Sequence, residues 1–238
     1  MKTLIFLTLL SIPDLASAQL TKKLYKTIGS VKVYEVENKG IYIFRSGFSF
    51  DADGAPKAYH KNDKVALDFL ANAGKPGNWW GVVTNTGKKD GIPIVQTAQD
   101  PAPGYYVSPT SLADKSKKVQ DPNRYVDSQE IPYIALPSKF STQFKLGDIA
   151  LVVNKKNNLR CYAIFADVGP ANKIGEGSIS LAKQLQIPGN PKAGGPTADV
   201  VYILIKNSGS SAVLGKQQIQ SIGQTKLSEA DISNLLSE

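Results

Sequence analysis

The chain has 238 residues, with 28 Lys and Arg against 20 Asp and Glu, a single His and a single Cys, giving a formal charge of +8. A lone cysteine excludes an intrachain disulfide, so the fold must hold by burial of apolar surface. The positive excess is almost all lysine, the arginines being Arg45, Arg124 and Arg160; bidentate contacts to bases and phosphates need arginine, so the lysines read as solvated faces and no nucleic-acid partner is expected.

The opening MKTLIFLTLLSIPDLASAQ carries Lys2, an apolar run from Leu4 to Ile12 and small residues at Ala16 and Ala18. This predicts a signal peptide over residues 1–18, cut after Ala18, and a secreted or periplasmic product. The run is too short to anchor in a bilayer, so no membrane anchor is expected. Residues 19–238 contain no Ser/Gly or Pro linker and no repeat, and read as one domain.

In chain order, IYIFRSGFSF reads as strand, and FDADGAPKAYH follows with Asp51 and Asp53. D-x-D-G resembles the start of a calcium loop but lacks its third spaced ligand and distal Glu, so no metal is expected. KVALDFLANAG spaces Val65, Leu67, Phe69 and Leu70 for a helix stopped at Gly74. PGNWWGV offers Trp79 and Trp80; adjacent strand residues face opposite ways, so at most one of them is free to stack on a ligand while the other packs inside. Tyr105 and Tyr106 invite the same division.

GVVTNTGKKDGIPIVQ predicts a hairpin, YYVSPTSL and IPYIALP edge strands because of their prolines, and GDIALVVNKKNNLRCYAIFAD a second hairpin. Both alternating sets from Cys161 to Ala166 are apolar, as expected of a strand covered on both sides, so Cys161 reads as a buried thiol rather than a nucleophile. His60 has no Ser or Cys motif to serve and reads as structural. SISLAKQLQIPG predicts a helix capped by Ser178 and ended at Pro188, and DVVYILIK a further strand. Residues 207–238 read as loop plus a short C-terminal helix around LSEADISNLL, with Ser228 as its cap. Together these elements predict a mainly β fold, a single-domain β-barrel with a few short helices.

Asp167 stands where the apolar strand emerges, Gly169 and Pro170 turn the chain, and Glu176 follows between Gly175 and Gly177. Two acids held at the ends of one short loop suit glycoside hydrolysis, which needs one protonated carboxyl and one carboxylate. Asp as a turn former and Glu as a charge at a helix start is the plain alternative. Position argues for roles: the end of an apolar strand favours a protonated Asp167 as general acid, and the helix start favours an ionised Glu176 as base, with the reverse assignment open.

AIFADVGPANKIGEGSISLAKQL followed by ADVVYILIK resembles the glycoside hydrolase family 75 chitosanases, with FSFDADGAPKAYH, LDFLANAGKPGNWWGV and DPAPGYYVSPTSL similar to bacterial members. The resemblance runs over about residues 41–206. It implies a cofactor-free, inverting enzyme that cleaves β-1,4 linkages of chitosan or another amino-sugar glycan, with Asp167 and Glu176 as the catalytic carboxylates, expected to act as a monomer. It also makes Asp51 and Asp53 attractive partners for a glucosamine ammonium, and Trp79, Trp80 and Tyr105 attractive contacts for sugar rings. The D-x-G-P loop is more loosely similar to double-psi β-barrel proteins such as expansins and lipoprotein-A-like lytic transglycosylases. That similarity keeps two alternatives open: a peptidoglycan-directed lytic transglycosylase, and a carbohydrate-binding barrel without catalysis. The charge of +8 stands against a polycationic substrate, unless an acidic cleft outweighs distant lysines.

Overall fold

The computed structural model describes residues 20–193 and 198–237. The expected signal peptide lies outside these residues. Strands β1 (Lys22–Ile28) and β2 (Val31–Val36) form a hairpin that pairs onto β3 (Ile41–Ser46), and β4 (Ser49–Asp51) follows after a two-residue break. Two-residue strands β5 (Gly74–Lys75) and β6 (Asn78–Trp79) make a separate ladder. Then come β7 (Tyr133–Pro137), α1 (Ser138–Ser141), β8 (Ile149–Asn154), β9 (Arg160–Gly169), β10 (Glu176–Ser178), α2 (Ile179–Gln184), β11 (Val200–Ile205), α3 (Lys216–Gln224) and α4 (Glu229–Leu236).

Among the described residues nine strands form one mixed sheet in the order β1-β2-β3-β11-β8-β9-β7-β10-β4. The β7–β9 and β10–β4 pairs are parallel and the others antiparallel. The mainly β expectation holds, but the sheet is not closed into a barrel. Its edges, β1 and β4, do not pair with each other; β4, only three residues long, presents one short free edge. Both faces are instead covered. Tyr42, Phe44, Val152, Ala163, Phe165 and Tyr202 bury against Phe140 of α1 and Leu181 of α2. On the other face Ile43, Leu151, Ile164 and Ile203 bury against Ile219 of α3 and Ile232 of α4. Each fully buried aliphatic or aromatic side chain contributes about 1.5–3 kcal/mol, so the two-sided strands β8, β9 and β11 anchor the fold.

The predicted β8–β9 hairpin, β3, β11 and α2 are present, and Cys161 is buried, its thiol pushed up to about 11 by burial. Ser178 caps α2 by accepting from Leu181 N, and Ser228 caps α4 by accepting from Asp231 N. Four expectations are corrected. The helix at 64–74 shrinks to one 3-10 turn at Leu70–Ala73, because the N–H groups of Leu67 and Asp68 bond instead to Lys57 and Ala58 carbonyls. The hairpin at 81–96 reduces to a Thr84–Pro93 bridge flanked by Asn85 N–H to Ile92 O and Ile94 N–H to Val83 O, because beyond it Val107 accepts the Val83 N–H and donates to Ile94 O, while the Thr84 hydroxyl and Asn85 carboxamide take up backbone groups of the turn. YYVSPTSL keeps only the Val95–Tyr106 bridge. IPYIALP is a central strand rather than an edge, because Pro132 precedes β7 and Pro137 ends it, so no interior N–H is lost.

Candidate active site

The site is set by register across β9, β7 and β10. Ala135 of β7 pairs with Asp167 of β9 on one side and with Glu176 of β10 on the other, and Glu176 in turn pairs with Ser49 of β4. Both acids therefore lie within strands rather than at the two ends of a free loop. Residues paired directly across a sheet share a face, so the two carboxylates stand in one row with a methyl group between them.

A register irregularity between Ile134 and Ala135 makes this possible. Along β9, Cys161, Ala163 and Phe165 face one core and Tyr162, Ile164 and Ala166 the other. Alternation alone would send Asp167 after Phe165 into the first core. The extra residue sets Asp167, not Ala166, opposite Ala135, and Asp167 opens into a cleft instead.

That cleft measures about 1320 Å³ and takes in Asp51, Asp53, Ala135, Asp167 and Glu176. Asp167 is half-buried. Its Oδ1 accepts the Ser111 backbone N–H at 2.9 Å and the Ser111 hydroxyl at 2.6 Å. Burial raises the Asp167 carboxyl above its ordinary value, with the Glu176 charge adding to the rise and the bonds from Ser111 and the Val168 N–H opposing it. The Ser111 loop is fastened to β9 by Leu112 N–H donating to Ala166 O at 2.8 Å. Glu176 is 14% exposed and accepts from Lys173 Nζ at 2.9 Å. A Cβ at Gly169 would lie 2.9 Å from Glu176 Oε2, so this carboxylate leans back towards β9, two residues from Asp167.

Asp51 and Asp53 join the same acidic group. Asp51 Oδ1 accepts Asp53 N–H at 2.9 Å, and Asp53 Oδ1 accepts the Ser108 hydroxyl at 3.0 Å. Burial pushes both carboxyls well above the ordinary range, helped for Asp51 by Asp53, Asp167 and Glu176 and for Asp53 by Asp167. Five carboxylates line the cleft against two lysines, Lys89 and Lys173, so it is acidic in a protein of formal charge +8.

The remaining sequence candidates divide. Trp80 lines the cleft and is 54% exposed, whereas Trp79 is 8% exposed and packs with Ala73 and Val82 in a small core of its own. Tyr105 lies outside the cleft lining, its ring tilted against His60 at 4.9 Å between centroids and its hydroxyl donating to Val65 O. The space beside Gly175 and Gly177 is filled by the protein: by Ser46 and Gly47 at Gly175, which has φ +99°, and by Leu181 and Phe48 at Gly177. Ser111 and Ala135 were not evident from sequence, since each meets the acids only across distant chain, whereas Lys173 lies three residues before Glu176, a spacing that could have flagged it.

No helix among the described residues is long and apolar enough to cross a membrane. No curated protein matches the chain. The family model described as "Fungal chitosanase of glycosyl hydrolase group 75" matches residues 96–234, more than half of the sequence and inclusive of β7 to β11 and both acids of the row. The chain belongs to this chitosanase family and is a glycoside hydrolase.

Proposed function

We propose that the protein is an exported chitosanase, formed by residues 19–238 as one monomeric catalytic domain after removal of residues 1–18. Its substrate is a β-1,4-linked polymer rich in glucosamine, and its reaction is a metal-free hydrolysis with inversion. The observation that carries this reading is the Asp167–Ala135–Glu176 row at the floor of the acidic cleft.

Strands lie about 4.8 Å apart, so two steps separate the backbones of the acids by about 9.6 Å. The lean of Glu176 towards β9 narrows the gap between the carboxyl groups. Inverting glycosidases keep their carboxyls about 6.5–9.5 Å apart, enough for a water on the far side of the sugar. Asp167, its Oδ1 occupied by Ser111 and its carboxyl raised by burial, donates a proton from Oδ2 to the leaving glycosidic oxygen. Glu176, ion-paired with Lys173, takes a proton from the attacking water. Asp51 and Asp53 face the ammonium groups of the chain, and the acidic lining offsets the long-range repulsion of a polycation by the surface lysines.

The test is to incubate the mature wild type, Asp167→Asn and Glu176→Gln with partly acetylated chitosan, counting new reducing ends and following the first-formed anomer by proton NMR. Activity in the wild type alone, with inverted product, supports the reading. Wild-type rates in either variant, or a retained anomer, overturn it.

A further inference from the structure

Beyond the acid pair the cleft wall carries a second, separately wired group. The Trp80 indole N–H donates to Asn72 O at 2.8 Å, and Asn72 Nδ2 donates to Asp68 Oδ1 at 2.8 Å, an oxygen that also accepts Phe69 N–H at 2.7 Å. Asp68, Asn72 and Trp80 all line the cleft. They come from the 68–80 segment, which precedes the residues that match the family model.

Trp80 leaves more than half of its surface in water. Its one polar atom is already bonded within the protein, so what it offers the cleft is an apolar ring face held in a fixed orientation. Asp68 is the reverse: 6% exposed, a carboxylate withdrawn from water beside that platform. Burial raises its carboxyl above the ordinary value, and the charges that partly restrain the rise belong to Lys192 and Lys173 rather than to the acid pair. A buried carboxylate at a cleft wall gains from a cation that a ligand brings with it.

A β-linked glucosamine ring has its bulky substituents equatorial, so it presents flat C–H faces for stacking and an ammonium at its rim. We infer that Asp68, Asn72 and Trp80 form a sugar subsite that stacks one glucosamine ring of the polymer on Trp80 and holds its 2-ammonium at Asp68. This rests on the glucosamine-polymer reading above and adds the group that selects the free amine over the N-acetylated sugar.

The chain has two tryptophans, and Trp79 is buried, so a fluorescence change on binding reports Trp80. The Glu176→Gln protein would be titrated in a stopped-flow instrument with glucosamine hexamer and with its fully N-acetylated counterpart. The subsite predicts a saturable change with the free-amine hexamer. Trp80→Ala, its binding read by isothermal titration calorimetry because the reporter is gone and with Trp79 emission as the check on folding, weakens Kd about three- to tenfold against the parent measured in the same way. Asp68→Asn reduces the preference for the free amine by about tenfold. Binding without any tryptophan signal, a Trp80→Ala Kd equal to the parent's, or an unchanged preference in Asp68→Asn would each overturn the subsite. Reducing ends released by the Glu176→Gln parent would count against the acid pair alone, because the tryptophan signal in the first turnover still decides the subsite.

Discussion

Ala135 separates the two acids, and enlarging it is the sharpest perturbation of the row. Its methyl group faces the cleft between backbones about 9.6 Å apart, the space in which the glycosidic oxygen and the attacking water must both fit. Leucine adds three carbon atoms to that gap. A misplacement of about 1 Å between reacting groups costs on the order of 100-fold, or about 2.7 kcal/mol at the transition state. Ala135→Leu should therefore lose at least about 100-fold in kcat/KM. Ala135→Ser, adding a single oxygen, should lose less than about tenfold. The assay is initial release of reducing ends from partly acetylated chitosan, beside a thermal melt to show that both variants fold. A folded Ala135→Leu that keeps the wild-type rate would refute catalysis across this row.

Ser111→Ala removes the hydroxyl bond that favours ionised Asp167, so the carboxyl rises further; if Asp167 is the acid, the alkaline limb of the pH–rate profile moves to higher pH. Movement of the acidic limb instead would reverse the roles of Asp167 and Glu176. Asp51 holds its proton more tightly folded than unfolded, so stability falls as pH rises from the ordinary carboxyl range through its raised value. Asp51→Asn should therefore raise Tm at neutral pH, lose that advantage at about pH 3, and lower activity, read by melts across pH and reducing-end assays. A Cβ at Gly223 would run into the Tyr162 ring, so Gly223→Ala should lift α3 off β9 at a cost of about 1–3 kcal/mol in urea unfolding.

What was legible in the sequence was local. The two-sided apolar runs of β8, β9 and β11 announce a buried sheet, and Ser178 and Ser228 sit one residue before helices whose apolar spacing is complete in a single window. Asp167 and Glu176 could be named because they border such elements. The segments that failed are those in which distant chain competes for the backbone. Residues 64–74 have helical spacing, yet Val65 and Phe69 remain exposed and the segment borrows carbonyls from residues 57 and 58. The β1–β2 hairpin is hidden in the sequence because its lysines obscure the alternation. α3 was missed as well: its exposed glutamines hide the one stripe that carries Ile219. Ser111 gave no signal, since a serine in a proline-bearing loop becomes a carboxylate partner only when that loop is laid along β9.

The register slip beside Ala135 means that part of the site is written in the number of residues rather than in their identity. Asp167 owes its place in the cleft to one surplus position in β9, so scans that exchange side chains one at a time preserve the feature without testing it. Changing the length by a single residue would discriminate. A deletion within the turn at 155–159 leaves the strand downstream free to keep its pairing, whereas one residue inserted between Ile134 and Ala135 gives Ala166 a partner, restores strict alternation along β9 and turns the Asp167 carboxylate to the side of Phe165. Length variation among related chains at this pair of strands should accordingly be rarer than their divergence in residue type.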